Sequence, residues 1–216
     1  MLVVLIVALV LGLTGGGTQA EGTGPLASPV PSPELGTGAP PPEVEIARVE
    51  GVPVHVPVDP ERITAAAFHP ISEQTAVGME ATGSIDIAQL DRRDRGGPET
   101  AGLDVGAPAG TAVYAPVDGI VASVAEYVVL GRVEGYEITI APSASAAGLL
   151  VRMTHLDPPP DGGPPSVGTP VRAGETLLGR VRDLSGVVEQ ELSQLTADSG
   201  NHVHIDVIRT RADLLP

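Results

Sequence analysis

From Val44 onward the chain alternates short apolar runs with polar positions, and this pattern predicts β-strands. Runs such as VEIARV, VPVHVPV, YEITIA and HVHIDVIR are each about one strand long, and Gly, Pro and Asp separate them. The pattern predicts a mostly β domain built on an antiparallel sheet. One short helix is predicted over residues 186–197, because Val188, Leu192 and Leu195 recur there at helical spacing.

The chain begins differently, with a continuous apolar run over residues 2–13 (LVVLIVALVLGL). A membrane-spanning helix needs ~20 apolar residues, so this run better fits the core of a signal peptide. Thr18 and Ala20 are the small residues expected before a cleavage site. The run lacks the usual preceding Arg or Lys, so an uncleaved membrane anchor and a buried core helix remain alternatives. Residues 1–20 are therefore interpreted as a signal peptide or membrane anchor.

The remaining boundaries follow from composition. Residues 21–43 are rich in Pro, Gly, Ser and Thr and cannot bury enough apolar surface to fold, so a disordered linker is predicted. Residues 44–98 form an N-terminal extension whose role the sequence leaves open, either as added strands or as a cover over a cleft. Residues 99–216 form the main domain.

Charge and composition restrict the partners. The formal net charge of −15 disfavours nucleic acid and anionic lipid, which leaves membrane contact only through an uncleaved N-terminal segment. The chain has no Cys, which excludes disulfides, thiolate metal sites and a Cys nucleophile. Aromatic residues make up only 2% of the chain, so the core must consist of Val, Leu, Ile and Ala.

Histidines near the C-terminus are the strongest chemical signal. His202 and His204 are separated by one residue in the apolar run HVHIDVI, so on a strand both imidazoles leave from the same face, followed by Asp206. Two imidazoles on one rigid strand can share a metal ion and its bound water. His155 ends another apolar run, LLVRMTH, and could face the same cleft if the two strands are neighbours.

The order of motifs over residues 99–208 resembles the LytM/lysostaphin-type zinc endopeptidases that cut peptidoglycan. The matching pieces are GLDVGAPAGTAVYAPVDGIV, MTHL, VGTPVRAGETLLGRV and SGNHVHIDV, in the family's order. The resemblance implies the small antiparallel β-sheet or half-barrel architecture called the duplicated hybrid motif. It also implies a Zn²⁺ cofactor, with Asp104 and His204 as ligands. By the same resemblance His202 is the general base, and His155 helps to stabilise the transition state.

One family position departs from the pattern. The family's first zinc-binding His would fall at Thr100, and a Thr hydroxyl is a poor zinc ligand. A catalytic zinc normally has three protein ligands plus water, so the third ligand is missing from the motif. Glu99 is out of phase with Asp104, while His69 or Asp206 could compensate only through the tertiary fold.

Other motifs carry little weight. The spelling His-x-His-x-Asp also occurs in metallo-β-lactamase-like hydrolases, but those need further His downstream, and none follows here. The pieces VDGIVASV and VGTPVRAGETLLG resemble biotinyl or lipoyl carriers, which need an acceptor Lys, and the chain contains no Lys. The charged run at residues 91–95 (DRRDR) is interpreted as a solvated loop, although its Arg residues could grip a carboxylate on a peptide.

Two functions follow from these observations. The first is an exported zinc endopeptidase at the cell envelope that cuts peptide cross-links in peptidoglycan. The second is a non-catalytic domain of the same fold that binds a wall component or regulates a partner wall hydrolase. The third metal ligand is the feature that separates them.

Overall fold

The computed structural model describes residues 40–144 and 148–210, all within the compact unit Leu35–Pro216. Strands dominate these residues, which confirms the mostly β fold class. The expected signal or anchor segment (residues 1–20) and most of the expected linker lie outside the described residues. In the described part of the chain, no helix is long and apolar enough to cross a membrane.

The described residues form thirteen strands, whose bounds are as follows. They are β1 (Glu45–Val49), β2 (Val52–His55), β3 (Ala66–His69), β4 (Glu80–Ala81), β5 (Ala88–Gln89), β6 (Gly102–Gly106), β7 (Ala112–Tyr114), β8 (Gly119–Val129), β9 (Arg132–Pro142), β10 (Leu149–Asp157), β11 (Pro170–Val171), β12 (Leu177–Val181) and β13 (His202–Arg209). Two short 3₁₀ turns, Pro60–Arg62 and Glu191–Gln194, complete the regular structure.

The strands form two sheets. The smaller sheet has the order β2-β1-β4, and the larger one runs β11-β8-β9-β10-β13-β6-β3-β5, with β12 paired to both β10 and β7. All pairs in the larger sheet are antiparallel except β3 with β5. Strands β3 and β5 come from the N-terminal extension, so part of that extension belongs to the same sheet as the main domain.

The hydrophobic core lies on one face of the central strands. Leu103 and Val105 of β6 alternate with Asp104, and Val203 and Ile205 of β13 alternate with the histidines. All four apolar side chains are fully buried. Because successive side chains on a strand point to opposite faces, burying this apolar set directs the polar set to the other face.

The helix predicted over residues 186–197 is wrong. The chain forms turns there, with regular structure only in the four-residue 3₁₀ turn Glu191–Gln194. Of the three apolar residues that suggested a helix, Leu192 is fully buried and Leu195 is exposed. Three residues at helical spacing are too few to outweigh the tertiary packing that buries Leu192 alone.

The core assignment can be tested with a pair of isoleucines. Ile205 is fully buried, whereas the side chain of Ile120 is 51% exposed. We expect Ile205→Ala to lower the free energy of unfolding by about 2–5 kcal/mol, because it leaves a cavity among packed neighbours. Ile120→Ala should cost far less, since it removes mostly solvated atoms. Urea denaturation of both variants measures the difference, and equal losses would contradict this placement of the core.

Candidate metal centre

The polar face of the central sheet is organised by strand register. Asp104 of β6 lies opposite Ala67 of β3 on one side and opposite His204 of β13 on the other. Two residues further along these strands, His69 of β3 lies opposite Gly102 of β6, and Gly102 lies opposite Asp206 of β13. Directly opposed residues share a face of the sheet, so three strands deliver imidazoles and carboxylates to the same side.

On this face of the sheet, three side chains form a group that could hold a metal ion. Each of His69, Asp104 and His204 offers one ligand atom, and these atoms all lie within 4.8 Å of one another. Asp104 Oδ1 is 3.2 Å from His69 Nε2 and 2.8 Å from His204 Nδ1. Two imidazole nitrogens and one carboxylate oxygen are a typical ligand set of a catalytic zinc, with a fourth position left open.

Gly102 provides the space for this group. A Cβ atom at position 102 would lie 2.7 Å from His69 Cε1 and 3.0 Å from His204 Cε1. Any larger residue would therefore push against both imidazoles at once. The absence of a side chain at Gly102 allows His69 and His204 to approach each other across β6, with ring centroids 5.0 Å apart.

Each ligand imidazole points one ring nitrogen at Asp104 and the other at a neighbouring group. His69 Nδ1 lies 2.9 Å from the carbonyl oxygen of Pro70 and 3.1 Å from Nη1 of Arg95, while Nε2 faces Asp104. When Nδ1–H is donated to Pro70, the lone pair of Nε2 is left for a metal ion. His204 is turned the other way, because its Nε2 lies 3.3 Å from Asp206 Oδ2 and its Nδ1 faces Asp104. Such hydrogen bonds to the far nitrogen are the usual way in which proteins orient metal-binding His. The residues present therefore fit a zinc ion.

His202 lies beside this group with its own tautomer defined. Its Nδ1 is 2.8 Å from the carbonyl oxygen of Gly200, which accepts the Nδ1–H. The unprotonated Nε2 is then 3.4 Å from Asp104 Oδ1. A basic nitrogen placed next to the ligand set is suited to take a proton from a bound water.

His155 reaches the same cleft through a β-bulge. On β10, Thr154 lies opposite His204, so regular alternation would direct His155 into the core. The register against β9 shifts between Met153 and Leu156, and His155 has a left-handed φ of 63°. The bulge turns the imidazole to the cleft, where its ring centroid is 4.5 Å from that of His202.

The electrostatics of the group suit a cation. Burial by itself would raise the pKa of Asp104, but His202 and the hydrogen bonds from His204 and His69 hold that pKa well below its usual range. Burial would likewise raise the pKa of Asp206, yet His204 and Arg152 lower it. Both buried carboxylates are therefore ionised near neutral pH, and they favour a positive charge between the imidazoles.

His155 behaves in the opposite way. Burial, followed by the neighbouring His202 and His204, lowers the pKa of His155 well below its usual range. The imidazole is therefore neutral near pH 7, with one donor and one acceptor nitrogen.

The group opens into a cleft of about 620 Å³. One wall comes from the turn before and within Glu191–Gln194, and another from the loop that holds the charged run at residues 91–95. Arg95 Nη2 lies 2.8 Å from Glu191 Oε2, and Arg93 Nη1 lies 3.3 Å from the other oxygen of the same carboxylate. The DRRDR loop thus places Arg95 at the cleft, already paired with a carboxylate of the protein.

Thr100 is not part of this group. Its carbonyl oxygen accepts a hydrogen bond from Met79 N at 3.0 Å, and a Cβ atom at Gly78 would lie 3.0 Å from its hydroxyl oxygen. The structure places Asp104, His204, His202 and His155 in one cleft. It adds His69 where the motif has no third ligand.

The sequence alone could not place His69 in the group. The residue is 35 positions before Asp104, and only the pairing of β3 with β6 brings the two together. The available signal was that His69 ends an apolar run, which is also how His155 was found.

Similarity of the chain to known proteins is found among solved structures. No protein-family model and no curated protein sequence matches the chain. Among solved structures, the chain is similar to lysostaphin with 19% identity and a TM-score of 0.35, over 51% of this chain and 37% of that one. A zinc-containing peptidase from Vibrio cholerae gives 19% identity and a TM-score of 0.40, over 77% and 37%.

A third similar structure is the SpoIIQ–SpoIIIAH pore-forming complex, with 20% identity and a TM-score of 0.41, over 74% of this chain and 87% of that one. The chain spans about a third of the length of the first structures it matches. The case for a function therefore rests on the residues of the cleft.

The role of Gly102 gives a test of the metal centre. We expect Gly102→Ala to weaken zinc binding at least tenfold, because the added methyl group displaces His69 and His204 from their shared position. Gly163→Ala is the matched control, since a Cβ atom there meets nothing within 4 Å. Calorimetric titration of zinc into the tag-free, metal-free protein measures both affinities. Unchanged affinity in Gly102→Ala would contradict the arrangement.

The third ligand can be tested against the motif position. We expect His69→Ala to lower zinc affinity by at least about a hundredfold, since even the neighbours that orient a ligand are worth about 10–100-fold. Thr100→Ala should leave the affinity unchanged, because Thr100 lies outside the ligand group. The same titration reads both variants. A loss in Thr100→Ala, or none in His69→Ala, would assign the third position elsewhere.

Proposed function

We propose that this protein is an exported zinc-dependent endopeptidase that acts on peptide cross-links of peptidoglycan. The observation that carries the proposal is the group of His69, Asp104 and His204, which could hold a metal ion, beside two further imidazoles in one cleft. Export is supported by the apolar run at residues 2–13 and the Pro-rich stretch after it. The substrate class is supported by the resemblance of the motifs over residues 99–208.

The cleft residues divide the chemical work between them. Zinc, when bound, would lower the pKa of a water molecule and polarise the scissile carbonyl. His202 Nε2, whose partner nitrogen is held by the Gly200 carbonyl, would accept the proton of the attacking water. The neutral imidazole of His155 would face the oxygen of the scissile carbonyl, on which negative charge develops.

Residues around the ligands keep them in place before any metal arrives. Arg152 Nε lies 3.1 Å from both carboxylate oxygens of Asp206, and its NH2 lies 2.8 Å from Oδ2. Asp206 in turn contacts His204 Nε2. This chain of contacts fixes the imidazole through a bidentate Arg–carboxylate pair, the strongest type of side-chain hydrogen bond.

The proposal predicts metal-dependent cleavage of peptidoglycan. We expect the zinc-loaded protein to release soluble fragments from purified peptidoglycan, with new peptide amino termini detected by mass spectrometry. His202→Ala should lower the rate by about 10²–10⁴-fold, because the general base is lost, while zinc remains bound. Thr100→Ala should retain the full rate.

A different result would favour the non-catalytic alternative. If the zinc-loaded protein sediments with insoluble peptidoglycan and releases no fragments, the domain is a binding module and the endopeptidase proposal is wrong. If it neither binds nor cleaves peptidoglycan, the substrate class is wrong as well. Zinc titration of the same sample shows in either case whether the metal centre itself was present.

A further inference from the structure

Tyr127 is a side chain of the cleft that none of the sequence motifs includes. It lies on the long strand β8, opposite the bulge that contains Glu134 and Gly135 of β9. Its hydroxyl oxygen is 3.0 Å from His155 Nε2, and the two ring centroids are 5.2 Å apart. Tyr127 lines the same cleft as the ligand group. A substrate that contacts His155 in this cleft can therefore also contact the hydroxyl group of Tyr127.

The surroundings of His155 indicate the direction of this hydrogen bond. A neutral imidazole carries a hydrogen on one ring nitrogen and a lone pair on the other. Nδ1 is buried and has no hydrogen-bond partner among the described residues. Buried N–H groups without a partner are rarer than buried acceptors without one. The hydrogen is therefore assigned to Nε2, which donates to the oxygen of Tyr127.

This assignment leaves the hydrogen of the Tyr127 hydroxyl available. Burial, together with Asp104 and Glu137, raises the pKa of Tyr127, so the phenol stays protonated near neutral pH. In the described part of the chain, the hydroxyl has no hydrogen-bond partner other than His155. Because the hydroxyl oxygen of Tyr127 accepts a hydrogen bond from His155, its position is fixed, and its hydrogen can be donated to a substrate.

The position of this donor relates it to the metal centre. His155, which holds the Tyr127 oxygen, has its ring centroid 4.5 Å from that of His202 and 6.0 Å from that of the ligand His204. Because Tyr127, His155 and the ligand residues line one cleft, a peptide bound there meets the Tyr127 hydroxyl as well as His155. The two bulges adjoin, because Tyr136 of β9 pairs with Glu126 beside one of them and with Leu156 beside the other.

We propose that Tyr127 is a further catalytic residue, which donates its hydroxyl hydrogen to the oxygen of the scissile carbonyl while His155 Nε2–H holds it in place. The inference rests on the proposed endopeptidase function. His155 then acts as a positioning residue, and the direct contact with the developing negative charge belongs to Tyr127. No proton needs to leave either residue, since the hydroxyl stabilises the charge as a hydrogen-bond donor.

The first test reads the tautomer and does not depend on activity. Long-range ¹⁵N–¹H correlation spectra of the metal-free protein should show His155 as the neutral Nε2–H form. Tyr127→Phe removes the acceptor oxygen and keeps the ring, so the Nε2–H preference should be lost. His155→Gln identifies the signals. An Nδ1–H tautomer in the unaltered protein, or no change in Tyr127→Phe, would overturn the proposal.

The second test separates a catalytic role from a structural one. We expect Tyr127→Phe to lower kcat by about 10²–10³-fold, the usual loss for one oxyanion donor, with KM and zinc affinity nearly unchanged. Tyr114→Phe is the control, since Tyr114 lies on β7 and does not line the cleft. A full rate in Tyr127→Phe would overturn the role of Tyr127 alone. An unaltered protein that binds zinc but releases no fragments would overturn the endopeptidase function and this role together.

Discussion

The antiparallel register of β3, β6 and β13 is the constraint on which the rest of the site depends. Ala67, Asp104 and His204 lie in one row across the three strands. His69, Gly102 and Asp206 form the next row. A slip of one residue in either pairing would send a complete set of side chains to the opposite face. The ligand group therefore forms only when β3 and β13 each pair with β6 in this register.

The same alternation couples the metal centre to the hydrophobic core. Leu103 and Val105, on either side of Asp104, are fully buried on the opposite face of β6. Their burial specifies the register, because a slip would expose them to the cleft and bury Asp104 in the core. Apolar burial on one face thus holds together a cluster of donors on the other.

Much of this arrangement could be predicted from short-range patterns, and the remainder depends on pairing. His202 and His204 share a face because they are two residues apart on one strand, and that much follows from any strand assignment. His155 follows a strand run, but only a bulge, which no spacing reveals, turns it to the cleft. His69 lies on a strand of the extension, so its role required knowledge of which strand pairs with β6.

The origin of the third ligand changes what kind of site this is. In the motif, the position falls at Thr100, in the turn just before β6, where the backbone carbonyl accepts a hydrogen bond from Met79 N. His69 instead ends β3, whose four residues are all buried, with its far nitrogen held by the Pro70 carbonyl. A ligand on a buried strand has less conformational freedom than one on a turn, so less entropy is lost when a metal binds. In the proposed metal centre the extension supplies one ligand, because the pairing of β3 with β6 places His69 beside Asp104.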